Sequence, residues 1–227
     1  YKGWSLSGAP VFMINFYAIP ACLYCAKSRL CLRHKPLIWT ELPPPGGFGS
    51  DVYTSHIPSG TLPGVIDGET TLGDSEAIAE YLEEAYPSFP MLPKTINDRA
   101  KIRELSRFHD TRLEPCIRAL FAHVPPKEPA QAYLAEHSKL ISQRIKQLET
   151  LLHNRPKFGL SLGDCGFPVT FAWIEALKPV LNLSLTIPDA VQKYLNWVVS
   201  TPAVAKELSQ YKPVLQAWFA VKGARCN

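Results

Sequence analysis

The stretch Cys22-Leu23-Tyr24-Cys25 constrains this chain most, because it sits where an extended apolar run, Val11 to Tyr17, gives way to a helical pattern from Leu23 to Arg33. A strand that turns directly into a helix through C-x-x-C places one thiol at a helix N-terminus. Unpaired backbone N–H groups and the positive end of the helix dipole there favour thiolate over thiol. Cys22, the first of the pair, is therefore expected to be the more acidic and more nucleophilic sulfur, with Lys27 and Arg29 one to two turns away adding positive charge. The chemistry this predicts is thiol-based. The alternative is that both cysteines simply pack beneath the helix, since free cysteine is among the most buried residue types. Zinc is not expected: Cys31, Cys116, Cys165 and Cys226 form no second C-x-x-C, and no histidine pair has ligand spacing.

The first third of the chain alternates periodicities, which means an α/β unit. The strand Val11–Tyr17 and the helix Leu23–Arg33 are followed by a short extended piece, Leu37–Leu42, and a Pro/Gly-rich loop, Pro43–Gly49. Two more extended pieces, Leu62–Ile66 and Thr70–Leu72, flank Asp67-Gly68, a tight hairpin signal. A helix then carries Ala77, Ile78, Tyr81, Leu82 and Ala85 on one face and stops at Tyr86-Pro87. The order is βαβ followed by ββα.

Pro87 to Asn97 contains three prolines and little periodicity and reads as a linker. Beyond it nearly everything is helical: Asp98–His123, Pro129–Asn154, Gly163–Leu177, Pro188–Ser200, Pro202–Leu208 and Val214–Val221. The expected layout is a lead-in over 1–9, an α/β thioredoxin-like domain over 10–87, a linker over 88–98 and an all-α helical bundle over 99–227. Ser161-Leu162-Gly163-Asp164 has the form of a capping box opening the helix that bears Phe167, Phe171, Trp173 and Ile174.

With 227 residues, 46% of them hydrophobic, the chain has material for two cores. No apolar run approaches the about 20 residues needed to span a bilayer, and the N-terminus lacks the layout of a signal peptide. Six cysteines, two of them close and the others scattered, suit a reducing compartment better than a disulfide framework. The net charge is only +4 with Lys and Arg dispersed, which argues against nucleic acid as a partner.

Two further motifs bear on ligand binding. Leu62-Pro63 heads an extended run, where a proline without an N–H is poorly placed inside a central strand. A cis peptide would expose the Leu62 N–H and C=O to pair with a ligand's peptide group, while an ordinary trans edge proline would not. Asp74-Ser75 opens the next helix, where a hydroxyl and free N–H groups can hold a carboxylate and Asp74 an ammonium, or where the pair simply caps the helix.

Taken in order, C-x-x-C, Ile57-Pro58-Ser59-Gly60-Thr61-Leu62-Pro63, Asp67-Gly68 and Leu72-Gly73-Asp74-Ser75-Glu76-Ala77-Ile78-Ala79-Glu80-Tyr81-Leu82 closely resemble the cytosolic glutathione transferase superfamily. The resemblance covers both domains, including the capping box at Ser161 to Asp164. It implies glutathione as co-substrate, with the backbone before Pro63 binding its cysteinyl part and Asp74-Ser75 its γ-glutamyl end. Register puts Cys22 at the position that is serine in tau- and zeta-like classes and cysteine in omega-, lambda- and dehydroascorbate-reductase-like classes. The tyrosine of the alpha-, mu- and pi-like classes would fall on Ala18, with Tyr17 facing the other way.

Cys25 gives C-L-Y-C, one position from the glutaredoxin C-P-Y-C, and is expected either to resolve a mixed disulfide or to pack structurally. Departures at Pro43–Gly49 and Thr61 leave the glycyl carboxylate without an obvious partner, His56 being a candidate. The resemblance also implies a pocket for a small hydrophobic or oxidised co-substrate, lined by Phe108, Arg112 and Cys116 at i, i+4, i+8 and closed by Tyr24. The same stripe would equally pack the bundle core.

No metal, nucleic acid or membrane is expected, and the resemblance points to a cytoplasmic homodimer. Three functions follow: thiol transfer through Cys22, conventional conjugation of glutathione to electrophiles, or a non-catalytic binding role on the same fold.

Overall fold

In the computed structural model, residues 3–4, 10–11, 13–124 and 131–224 are described. Cys226 and the expected helix start at Pro129 lie outside them. The chain forms two compact units, Tyr1–Pro90 and Met91–Asn227.

In the first unit a two-residue strand, β1 (Gly3–Trp4), pairs antiparallel with β2 (Pro10–Val11). Val11 therefore belongs to this small ladder and not to the strand that leads to the cysteines, which is β3 (Ile14–Tyr17). Helix α1 (Leu23–His34) crosses to β4 (Trp39–Leu42), which pairs parallel with β3, as a parallel pair requires. A short helix, α2 (Asp51–Thr54), precedes the hairpin of β5 (Gly64–Asp67) and β6 (Thr70–Gly73), and α3 (Ser75–Ala85) closes the unit. Strand order is β4-β3-β5-β6, with β5 antiparallel to both neighbours. This is the expected thioredoxin-like α/β arrangement. The hairpin turn is centred one residue later than the Asp67-Gly68 signal suggests: Asp67 pairs with Thr70, and Gly68, at φ 59°, takes the first central position.

Helix α1 is buried along most of its length, polar residues included, and its two buried cations are paired. Lys27 Nζ lies 2.6 Å from Glu76 Oε2, and Arg29 reaches Glu41 at 2.9 Å and the Pro20 carbonyl at 3.2 Å. Just past the helix end, Lys35 meets Glu83 at 2.7 Å and the Tyr86 carbonyl at 2.8 Å. A buried ammonium there satisfies carbonyls at the C-terminal end of α3. Asp67 accepts from the hydroxyls of both Tyr81 and Tyr86, tying the hairpin to α3.

The second unit is helical: α4 (Ile96–Phe108), α5 (Glu114–Arg118), α6 (Gln131–His153), α7 (Phe167–Val180), α8 (Asp189–Ser200) and α9 (Pro202–Val221). Met91 and Leu92, inside the expected linker, are buried here, and the Met91 carbonyl accepts the Leu162 N–H at 3.1 Å. Two expectations fail. The helix expected over Asp98–His123 is broken by a π turn at His109–Leu113 and ends in a 3₁₀ turn at Phe121–His123. The π turn lets the buried His109 ring reach Asp110 through Nδ1 and Thr170 through Nε2, both at 2.7 Å. Conversely, Pro202–Leu208 and Val214–Val221 are one helix that runs through Pro213, because packing of Tyr211, Leu215 and Phe219 outweighs the single ladder bond a proline forfeits.

The capping box is present but opens a 3₁₀ turn at Leu162–Asp164, with α7 starting only at Phe167. Asp164 does more than cap. It accepts from Ser161 N at 2.8 Å and Oγ at 2.6 Å, from Arg155 Nε at 3.0 Å and Nη2 at 2.6 Å, and from the Tyr194 hydroxyl at 2.9 Å. A buried carboxylate needs such a shell to offset its desolvation.

Candidate functional site

One row of the sheet brings the predicted segments to the same end. Tyr17 pairs with Gly64, and Gly64 pairs with Gly73. The turn to Cys22 leaves the end of β3, Pro63 enters β5 beside it, and Asp74 leaves the end of β6. Three segments far apart in sequence thus converge by strand register alone.

Cys22 is the N-cap of α1. Its backbone is extended, its side chain is half-buried, and its Sγ accepts the Cys25 N–H at 3.3 Å. Cys25 is wholly buried one turn in. Hydrogen bonding of its thiol to Cys22, then burial, pushes Cys25 far above the usual thiol range, so it stays protonated. The positive charge expected from Lys27 and Arg29 is offset, because each is matched by a carboxylate, Glu76 and Glu41. Cys22 itself lies at the positive end of the helix dipole. Tyr24 lies half-buried on the first turn. Tyr17 sits edge-on to Tyr53 at 5.6 Å, between the buried Phe16 and Ala18, as strand alternation requires.

The Leu62-Pro63 peptide is cis. Leu62 is half-buried, and neither its N–H nor its C=O bonds to any described residue. His56 is exposed on the loop after α2.

Helix α3 corrects the assignment of its cap. The N-cap is Asp74, at φ 78°, whose Oδ1 accepts from Glu76 N at 2.9 Å and Ala77 N at 3.0 Å. Ser75, expected to cap, is the first helical residue. It is only 5% exposed, and its hydroxyl has no partner among the described residues. A hydroxyl without a partner among the described residues, beside a helix N-terminus, is an open acceptor–donor position.

Residues 16–90 match the family model described as glutathione S-transferase, N-terminal domain. Over that span the chain carries a glutathione S-transferase N-terminal domain. Among curated relatives, it is 28% identical over 152 residues to glutathione S-transferase Z2 of Arabidopsis thaliana, 62% of this chain and 68% of that one. It is 31% identical over 108 residues to glutathione S-transferase Z1 of the same plant, 47% of this chain and 48% of that one. Among solved structures, a serine-to-cysteine mutant of poplar glutathione transferase F1 superposes with a TM-score of 0.73 at 15% identity, covering 88% of this chain and 99% of that one. This last likeness is one of fold.

In the helical unit of this glutathione S-transferase relative, the expected stripe is interrupted. Phe108 ends α4 half-buried, Arg112 is exposed in the π turn, and Cys116 is buried in α5 with its thiol donating to the Arg112 carbonyl at 3.1 Å. A π turn is wider than the 3.6 residues of an α-turn, so the regular repeat on which the stripe was read is interrupted between Phe108 and Cys116. Among the described residues no group of three or more His, Cys, Asp or Glu side chains is arranged to hold a metal ion, and no helix is long and apolar enough to cross a membrane.

The reading of the sequence missed Tyr53. This residue is fully buried on α2, and its hydroxyl donates to the Thr61 carbonyl at 2.9 Å. The available signal was Ser50-Asp51 ahead of it, since the Ser50 hydroxyl caps α2 by accepting the Tyr53 N–H at 3.2 Å.

Proposed function

We propose that the protein is a glutathione-dependent transferase in which Cys22 is the nucleophile for thiol transfer. The observation that carries this reading is the half-buried Cys22 sulfur on the N-terminus of α1, accepting the Cys25 N–H, at the sheet end where Leu62 and Asp74-Ser75 also emerge. The Cys22 thiolate attacks the disulfide of a glutathionylated molecule, forming a Cys22–glutathione disulfide and expelling the other sulfur as a thiolate that takes up a proton. The thiolate of a second glutathione then attacks this mixed disulfide. It releases oxidised glutathione and returns Cys22 as thiolate, so that one glutathione thiolate is consumed for each thiol freed and the glutathionyl group of the substrate leaves as the other half of oxidised glutathione.

Leu62 N–H and C=O serve the peptide groups of the bound cysteinyl residue, beside Pro63. The Ser75 hydroxyl and N–H serve the γ-glutamyl carboxylate, and Asp74 Oδ2, which the cap leaves open, serves its ammonium. His56 is assigned to the glycyl carboxylate, and Tyr24 to the co-substrate side of Cys22. The bond of the Cys25 thiol to Cys22 favours a supporting role for Cys25 over that of a resolving nucleophile. Cytoplasmic residence and a homodimer belong to the same proposal.

The names of the Arabidopsis relatives favour a second reading, conjugation of glutathione to an electrophile. Intact mass after mixing with oxidised glutathione separates the two. An adduct that disappears in Cys22→Ser supports thiol transfer. Absence of an adduct, together with turnover of a model electrophile, supports conjugation, and absence of both supports a binding role.

A further inference from the structure

Tyr53 lies outside every motif that pointed to glutathione, yet it touches the peptide that the proposed site depends on. The Thr61 carbonyl and the Leu62 N–H are two ends of one planar peptide group, pointing in opposite directions across a trans bond. Tyr53 donates to the carbonyl end at 2.9 Å, while the N–H end is unpartnered among the described residues. We propose that Tyr53 is a positioning residue: its hydroxyl fixes and polarises the Thr61-Leu62 peptide so that the Leu62 N–H is held ready to donate to the cysteinyl carbonyl of glutathione. The inference rests on the glutathione reading above.

Three observations support it. A hydrogen bond accepted at the carbonyl end strengthens the donor at the N–H end of the same amide. Tyr53 is fully buried and burial, first among the causes, pushes its hydroxyl up to about 12, so it remains a donor at any working pH. Gly64 leaves room for the hydroxyl and for Ile57 beside it: a Cβ added there would lie 2.5 Å from Tyr53 Oη and 2.9 Å from Ile57 Cγ1. The bond at Thr61 is not shared with the other polar side chains of this loop, whose Ser59 and Thr61 hydroxyls bond to each other at 2.8 Å.

The test is calorimetric titration of wild type, Tyr53→Phe and Gly64→Ala with glutathione and with an analogue whose cysteinyl–glycyl amide is replaced by an ester, a weaker acceptor. Tyr53→Phe keeps the ring and its edge contact with Tyr17, so the fold is retained, and thermal unfolding checks this. Glutathione affinity is expected to fall roughly three- to tenfold in Tyr53→Phe, the worth of one neutral hydrogen bond. The loss should shrink toward none with the ester, whose carbonyl gains little from a better-aimed N–H. Gly64→Ala should show the same pattern by displacing the hydroxyl. A loss of equal size for both ligands, or no loss, overturns the inference and leaves Tyr53 a packing residue. Failure of wild type to bind glutathione overturns the glutathione reading, and the inference with it.

Discussion

Replacing Ser75 with alanine should weaken glutathione binding while leaving the fold as stable as before. The cap of α3 is unaffected, because both capping bonds come from Asp74 Oδ1. Ser75 is 5% exposed and its hydroxyl bonds to no described residue, so removing the hydroxyl breaks no bond of the apo fold. Alanine is also the better helix former, by up to about 0.5 kcal/mol. The apo protein should therefore melt within a degree or two of wild type, or slightly higher. Binding is different: a hydroxyl donating to a carboxylate contributes about 1.5–3 kcal/mol, so the dissociation constant for glutathione should rise by roughly ten- to a hundredfold.

Asp74 provides the contrast. Asp74→Ala forfeits the cap, about 1 kcal/mol, and keeps a side chain at φ 78°. Asp74→Gly forfeits only a few tenths and suits that backbone, so it should be the more stable of the two, with both losing the ammonium partner. Calorimetric titration with glutathione, run beside thermal unfolding of each apo variant, reads the two quantities separately. If Ser75→Ala lowers the melting temperature by several degrees and leaves glutathione affinity unchanged, the hydroxyl is structural and the γ-glutamyl assignment is wrong.

In the helical unit, Asp164→Asn should destabilise by about 3 kcal/mol or more, because Arg155 loses the charge it is buried against; chemical denaturation measures this, and a cost under about 1 kcal/mol would deny Asp164 its role as hub. Alkaline pH should erode stability from about pH 10 upward. Burial raises Tyr53 to about 12 and also raises Tyr86 and Tyr194, and in that window the folded state holds protons the unfolded chain has released. Stability is thus whole below the unfolded value of 10.0 and declines as pH rises through it, with a shallower slope expected in Tyr86→Phe; an unchanged slope would contradict the assignment. In Cys22→Ser, finally, thiol transfer should vanish while glutathione affinity, measured by the same titration, stays close to wild type, since Leu62, Asp74 and Ser75 are untouched; retained transfer would move the nucleophile elsewhere.

The site's local parts were legible in the sequence because each rests on a short-range rule. C-x-x-C after a strand puts a sulfur at a helix start, and Leu62-Pro63 puts a peptide out of the ladder; both are seen. Where two neighbours compete for one role, the rule fails. Asp74 and Ser75 can each cap α3, and the choice fell to Asp74 because its backbone adopts φ 78° as it leaves β6, aiming the carboxylate at the first N–H groups. Phe108, Arg112 and Cys116 match a stripe only if the helix is regular, and the π turn that breaks it owes its place to contacts of His109 with Thr170, 61 residues away.

The sequence by itself determined the βαβ–ββα order of the first unit and the residues proposed to carry its chemistry, because periodicity, glycine, proline and cysteine act through their immediate neighbours. Only the tertiary structure decided which charges pair beside α1 and which carbonyl Tyr53 meets. Lys27 and Arg29 look like free cations in the sequence, until Glu76 and Glu41 arrive from elsewhere in the fold to pair with them. Tyr53 carries no motif, and its importance exists only because α2 brings its hydroxyl to the Thr61 carbonyl and Gly64 leaves it room. Coulomb attraction and hydrogen bonding act over a few ångströms in space, and only the folded chain sets those distances.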